Sequence, residues 1–429
     1  MQKLNIYNNP PQEELIRLLE RPKGGSLPDV SLVFNEISKS GDAALRDFTL
    51  QWDNVALDNL WVSEKELAEA TVPTELEKAI KLAKENVEKF HLACTEKNVK
   101  TATMDGVVCE RLSVGIQNVG LYIPGGSAPL FSTALMLGIP AKIAGCKEII
   151  IASPPNKAGE INSAILYTAN LLGIKKVLKS GGAQAIAAMA LGTESVPKVD
   201  KLFGPGNSFV MAAKQRAFQE GVAIDMPAGP SEVMVIADDT AVPEFVAADL
   251  LAQAEHGPDS QVILVTTSQK MAEMVVSVLP KLMENLPRKE IIEEALKSAR
   301  IIVVSKINEA VDISNIYAPE HLILAIENPR SLLANLTTAG SVFLGNYSAE
   351  SLGDYASGPN HTLPTNGAAR AWSGLSVKDF SRTFTVQEVS EVGIKNLGAT
   401  VEIMANAEGL HAHALSVTKR LEMINAQKS

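Results

Sequence analysis

A chain of 429 residues with 46% hydrophobic and 21% charged residues has globular composition and is too long for one small core. That excludes disordered and fibrous classes and predicts two or three domains. A formal net charge of −10, with no dense Lys/Arg run, argues against a nucleic-acid partner.

The N-terminus, MQKLNIYNNPPQEEL, lacks the apolar core of a secretory signal, and no run approaches the ~18 apolar residues of a membrane span. Ala185–Leu191 and Ile301–Val304, the strongest apolar segments, fit buried elements. Cys94, Cys109 and Cys146 match neither a CxxC metal motif nor a disulfide framework, so a reducing cytoplasm is the simplest expectation.

The first ~100 residues carry helix signals. Leu76, Ile80, Ala83, Val87, Phe90 and Cys94 recur at spacings of three and four, which predicts one buried stripe of a long amphipathic helix. His91 sits beside that stripe and reads as a structural or surface histidine. From Val108 onward, β-branched runs alternate with helical stretches. Strands are predicted over 148–152, 176–178 and 201–203, with helices over 160–172, 181–191 and 207–219. The pattern restarts with strands at 232–237, 261–266, 300–304, 321–325 and 341–344. Helices are predicted between them over 243–256, much of 268–298, 308–317 and 329–336. Such alternation implies two successive parallel α/β units. Residues 345–375 read as a long Gly/Ser/Asn/Pro-rich loop of the kind that often carries function. The last ~50 residues mix strand and helix signals and end in a helix near 410–425, able to pack on the chain itself or on a partner.

Five of the six histidines follow residue 250, each near an acidic or amide side chain. His and carboxylate ligands suit Zn²⁺, and a His–carboxylate pair suits acid–base work. Gln253 and His256 stand three apart near a helix end, so both could reach one ion. Glu320–His321 lies between a helix ended by Pro319 and a buried strand. Asp354 and His361 fall in LGDYASGPNHTLPT, and Glu408 and His413 in AEGLHAHA. Taken singly, each also reads as a helix cap, a turn residue or surface polarity. Glycine turns at 120–126, 181–182 and 204–206 precede helices, which suits phosphate binding, but none is a GxGxxG fingerprint. Residues alone leave a zinc hydrolase, a thiol-dependent aldehyde dehydrogenase and a metabolite-binding protein open.

Taken together, the segments GLYIPGGSAPLFSTALML (120–137), SGGAQAIAAMALGT (180–193), KLFGPGNSFV (201–210), IDMPAGPSEVMVIAD (224–238), DLLAQAEHGPDSQ (249–261), YAPEHL (317–322), GDYASGPNHTLPT (353–365) and EGLHAHA (408–414) resemble the histidinol dehydrogenase family. The resemblance implies two incomplete Rossmann-like parallel-sheet α/β domains, a helical N-terminal segment (1–21) and a small C-terminal dimer-exchange domain (376–429). The first α/β domain would comprise 22–122 plus 231–375 and carry most zinc and catalytic residues. The second, 123–230, would bind NAD.

The resemblance further implies Gln253, His256, Asp354 and His413 as zinc ligands, His321 as general base and Glu320 as water activator. Ser231, His361 and Glu408 would join those residues around the substrate, L-histidinol, and Tyr122, Gln184 and Asn207 would contact NAD. It also implies a homodimer in which the partner's C-terminal segment completes each site.

Overall fold

The computed structural model describes residues 4–22, 27–125, 129–226 and 229–426. The strands in chain order are β1 (Ile6–Asn8), β2 (Val99–Met104), β3 (Val107–Gly115), β4 (Asn118–Tyr122), β5 (Glu148–Ser153), β6 (Lys176–Lys179) and β7 (Lys201–Phe203). They continue with β8 (Ala223–Ile224), β9 (Glu232–Ala237), β10 (Gln261–Thr266), β11 (Arg300–Val303), β12 (His321–Ala325), β13 (Ser341–Leu344) and β14 (Ser381–Val389).

Two parallel sheets carry the molecule. The larger has the order β1-β11-β10-β9-β12-β13 and the smaller β6-β5-β4-β7-β8. β9, β10 and β12 are buried at every position, as continuous apolar strands covered on both faces should be. Side chains alternate between those faces. Val233 and Val235 pack with Val246, Leu250 and Leu251 on one side, and Met234 and Ile236 with Ile313 and Tyr317 on the other. The two α/β units therefore stand as expected, and Ala185–Ala190 and Ile301–Val304 are buried.

Several details differ. Helices Ser31–Phe48 and Thr74–Ala93 cover the two faces of the smaller sheet, where Phe34 and Leu45 meet Ala183–Ala190 and Ile80 and Val87 meet Leu121 and Ile151. Hydrophobic packing thus places most of 22–122 with the smaller sheet, not with 231–375. The first 21 residues are not purely helical, since β1 forms an edge of the larger sheet. On the helix Thr74–Ala93 the buried face runs through Ile80, Ala83, Val87 and His91, while Phe90 and Cys94 are exposed. His91 holds the stripe position, four residues after Val87, that was expected of its neighbour.

A third, antiparallel sheet, β14-β3-β2, joins the C-terminal segment to residues 99–115. It lacks a fully buried face, and β2 is exposed throughout, so no apolar alternation announced it. The segment 376–429 is tied to the body by this strand, and its helices Glu391–Ala407 and His411–Ala426 pack on each other. The expected loop at 345–375 contains a short helix, Glu350–Tyr355. No helix among the described residues is long and apolar enough to cross a membrane.

Candidate active site

The carboxyl ends of β7 and β8 face the amino ends of β9 and β12 across a cleft of about 200 Å³. Gly204–Gly206, Asp225 and Met226 line it from the smaller sheet, and Ser231, Gln253, His256, Glu320, His321, Asp354 and His361 from the larger. Seven residues scattered over 130 positions of sequence thus meet in one place. Pro227 and Ala228, within one of the resembling segments, lie outside the described residues, as do Gly126–Ala128.

Glu320 and His321 sit where β12 begins, and one residue of the neighbouring strand grips both. The Glu232 N–H donates to Glu320 Oε2 at 2.8 Å, and its carbonyl accepts from His321 Nδ1 at 3.1 Å. A carbonyl cannot donate, so Nδ1 carries the proton and Nε2 is left facing Asp354 Oδ1, 3.4 Å away. The turn before this pair is strained, with Ala318 in the left-handed region (φ 56°). Arg21 holds that turn by donating to the carbonyls of Tyr317 and Ala318, and it forks onto the Glu232 carboxylate at 2.5 and 2.8 Å. Sequence reading missed Arg21 because nothing nearby in the chain marks it.

Burial pushes the Glu320 carboxyl up to about 7, which poises it as a base near neutrality. Burial opposes charge on His321, but Glu350, Glu320 and Asp354 outweigh it and raise the imidazole to about 10. Glu350, itself buried and pushed up to about 8 by desolvation, stands 4.0 Å from His321 Nδ1. It lies four residues before Asp354 on the same short helix, a spacing that would have flagged it had that helix been expected.

The His361 imidazole donates from Nδ1 to the Asp354 carbonyl at 2.8 Å, leaving Nε2 to accept from Thr133 Oγ1 at 3.2 Å. Burial holds it below its ordinary pKa, hence neutral.

The helix Pro243–Ala254 delivers Gln253 in its last turn, and His256 follows just beyond the helix end rather than within it. Gln253 is fully buried, yet neither amide atom has a hydrogen-bond partner. Leaving such a group unpaired costs about 1–3 kcal/mol, so a ligand is the natural remedy. His256, Glu350 and Asp354 bring ligand atoms within 4.8 Å of one another beside it. Nitrogen and carboxylate donors of this kind fit zinc.

Tyr122, Gln184 and Asn207 lie outside this cleft, at the ends of β4 and β7 and in the first turn after β6. The order β6-β5-β4-β7-β8 reverses direction at β4, where open α/β sheets bind ligands. The Tyr122 hydroxyl accepts the Gly182 N–H at 3.1 Å, and the buried Gln184 Oε1 is unpartnered. Asn207 caps the helix Ser208–Gln219 through Phe209 and Val210. Gly204 (φ 123°) presses against the Tyr122 carbonyl so closely that any Cβ would clash. Lys214 and Asp225, a buried ion pair, clamp that same loop, with Lys214 donating to the Gly204 carbonyl at 2.9 Å and Asp225 accepting its N–H at 2.8 Å.

Glu408 and His413 are not brought to the cleft within one chain. Both are exposed on the C-terminal helical pair. No cysteine lines the cleft: Cys94 is exposed, Cys109 lies in β3, and burial pushes the Cys146 thiol up to about 11. That removes the thiol nucleophile from the site.

A family model described as histidinol dehydrogenase matches residues 23–421. The chain belongs to the histidinol dehydrogenase family. A histidinol dehydrogenase of Bacteroides thetaiotaomicron is 51% identical, covering 98% of this chain and 100% of its own length. That of Mannheimia succiniciproducens is 51% identical over 98% of this chain and 99% of itself. A crystal structure of histidinol dehydrogenase from Elizabethkingia anophelis superposes with a TM-score of 0.97 at 52% identity, over 99% of each chain. The family fixes the class as oxidoreductase.

Proposed function

We propose that this chain oxidises L-histidinol to L-histidine through L-histidinaldehyde, the last step of histidine biosynthesis, as a zinc-dependent, NAD-linked enzyme. The observation that carries this reading is the Glu320–His321 pair, held by one peptide residue beside an amide, Gln253, that has no partner. Gln253, His256 and Asp354, joined by His413 of a second copy, would hold zinc, which supplies a clamp for the substrate's imidazole and amine nitrogens. Tyr122, Gln184 and Asn207 would hold NAD, which accepts one hydride from the alcohol and, in a second molecule, one from the hydrated aldehyde.

His321 Nε2 takes the hydroxyl proton as hydride leaves, and the Glu232 carbonyl keeps the ring turned for it. With Asp354 committed to a cation, His321 is freed of one of the three carboxylates that hold its proton. Glu320 then takes the proton from the water that adds to the aldehyde, a role that suits a carboxyl near 7. Ser231 and His361 line the cleft where the substrate would lie. Glu408 would reach it from the partner, as exposed Ile403, Met404, Leu410, Leu415 and Met423 give the C-terminal helices an apolar surface to cover.

The deciding experiment counts NADH per histidinol before and after chelation. Two NADH, lost on zinc removal, is the expected result. One NADH, or insensitivity to chelation, overturns the reading. Glu320→Gln is expected to slow the aldehyde step about 10²–10⁴-fold while sparing the alcohol step more. Equal losses in both steps would reject separate roles.

A further inference from the structure

The helix Ser31–Phe48 runs into a wider turn, Thr49–Asp53, which Asn54 ends in the left-handed region. Phe48 stacks on Trp52 with ring centroids 4.6 Å apart, and this fixes the turn. The helix packs on the helix Gly182–Leu191, so its end falls beside the start of that helix. There Gln184 Nε2 donates to Asp53 Oδ2 at 3.5 Å. Burial raises the Tyr122 phenol pKa, and the charge of Asp53 raises it further. Burial raises the Asp53 carboxyl itself, and no Lys or Arg among the described residues offsets its charge. A half-buried carboxylate without a cation, next to a buried Gln184 Oε1 without a donor, is a site awaiting hydroxyl hydrogens.

Position along the sheet says which hydroxyls. Gln184 follows β6, and Gly204, at the wall of the catalytic cleft, follows β7. These strands are three steps apart in the order β6-β5-β4-β7, a span of about 14 Å. A dinucleotide with its reactive ring at Gly204 and His321 would lay its far ribose near Asp53.

We propose that Asp53 is the cofactor-specificity residue: its carboxylate accepts the 2′-hydroxyl of the adenosine ribose and repels a 2′-phosphate. Like charges held this close, away from bulk water, disfavour the phosphorylated cofactor. The inference rests on the NAD reading above.

The test compares NADH and NADPH formation from histidinol by the wild-type holoenzyme, Asp53→Asn and Asp53→Glu. Wild type is expected to favour NAD. Asp53→Asn is expected to raise KM for NAD about tenfold and to narrow the NAD-over-NADP preference by at least about tenfold. Its kcat and its KM for histidinol should stay within about twofold of wild type, since only cofactor binding is weakened. Asp53→Glu, which keeps the charge, should keep the preference. Should Asp53→Asn fail to fold, Asp53→Ser takes its place with the same expected shift. An unchanged preference in the charge-removing variant overturns the proposal, as do parallel losses in kcat and in KM for histidinol. A wild-type enzyme that reduces neither cofactor overturns the NAD reading itself, and this proposal with it.

Discussion

The cleft and the C-terminal helical pair hold residues expected of one constellation, but they are built in opposite ways. Glu320, His321, Gln253 and Asp354 are buried or nearly so, set by strand ends, and held by backbone partners or left short of them. Glu408 and His413 stand in the open at the helical pair, which meets the body through β14 and the turn at Asp105 and Gly106. The contrast teaches that one chain brings Glu320, His321, Gln253 and Asp354 together by itself, whereas the proposed roles of Glu408 and His413 need a second copy.

The strongest way to break that comparison is subunit mixing. His321→Asn and His413→Ala are each expected to lose about 10²–10⁴-fold in kcat as homodimers. Randomly reassociated together they should recover about a quarter of wild-type activity, because half the dimers then hold one intact site. No recovery would mean both residues serve the same chain's site. The two variants should also differ in kind. His413→Ala is expected to keep the melting temperature of the zinc-free protein, since its side chain is exposed.

A second, smaller effect probes what holds the buried half. Arg21→Ala leaves the Glu232 carboxylate buried without its fork, so a stability loss of about 3–5 kcal/mol is expected by denaturant titration. Activity should fall with it, because the Glu232 backbone orients both Glu320 and His321. Unchanged activity in folded Arg21→Ala would separate the salt bridge from the site.

The smallest effect is in pH. In the zinc-free protein Glu320, Glu350, Asp249 and His321 all have folded-state pKa values raised above their ordinary ones, to about 7, 8, 7 and 10. Each therefore binds its proton more tightly folded than unfolded, so these four groups lower stability as pH rises; His91, His256 and His361, whose pKa values burial lowers from 6.5, act in the opposite sense near that pH, which leaves the fall to show above about pH 7. A drop of a few degrees in melting temperature between pH 7 and pH 9 is expected, and a flat or rising profile there would contradict these shifts. Zinc should flatten it, since a cation on Asp354 competes with the protons around it.

Much of this was legible in the chain. The predicted strands at 232–237, 261–266, 321–325 and 341–344 coincide with β9, β10, β12 and β13; for the first three the reason is that buried parallel strands must be written as apolar runs, while β13 is a half-buried edge. The nearby helix Glu350–Tyr355 was not legible, since it is six residues long with a glycine inside and owes its existence to packing against the helix that carries Gln253. Glu350 was hidden with it. The antiparallel sheet was legible only as unplaced strand signal in the last ~50 residues, because most of β2 and β14 faces solvent and carries no apolar alternation. The resemblance supplied Gln253 as a ligand candidate where residue chemistry alone ranked it low, and the structure gives the physical reason to single it out: a buried amide with nothing to bind.

The edge pairing of β1 has a consequence for how the molecule is made. Ile6 lies beside Ile301, whereas the smaller sheet uses strands only from Asn118 to Ile224. A chain emerging from the ribosome can close the smaller sheet early, but β1 must wait for β11, which begins at Arg300. Contacts this distant form late. The smaller-sheet unit is thus expected to mature before the larger one, to which the Arg21–Glu232 pair belongs.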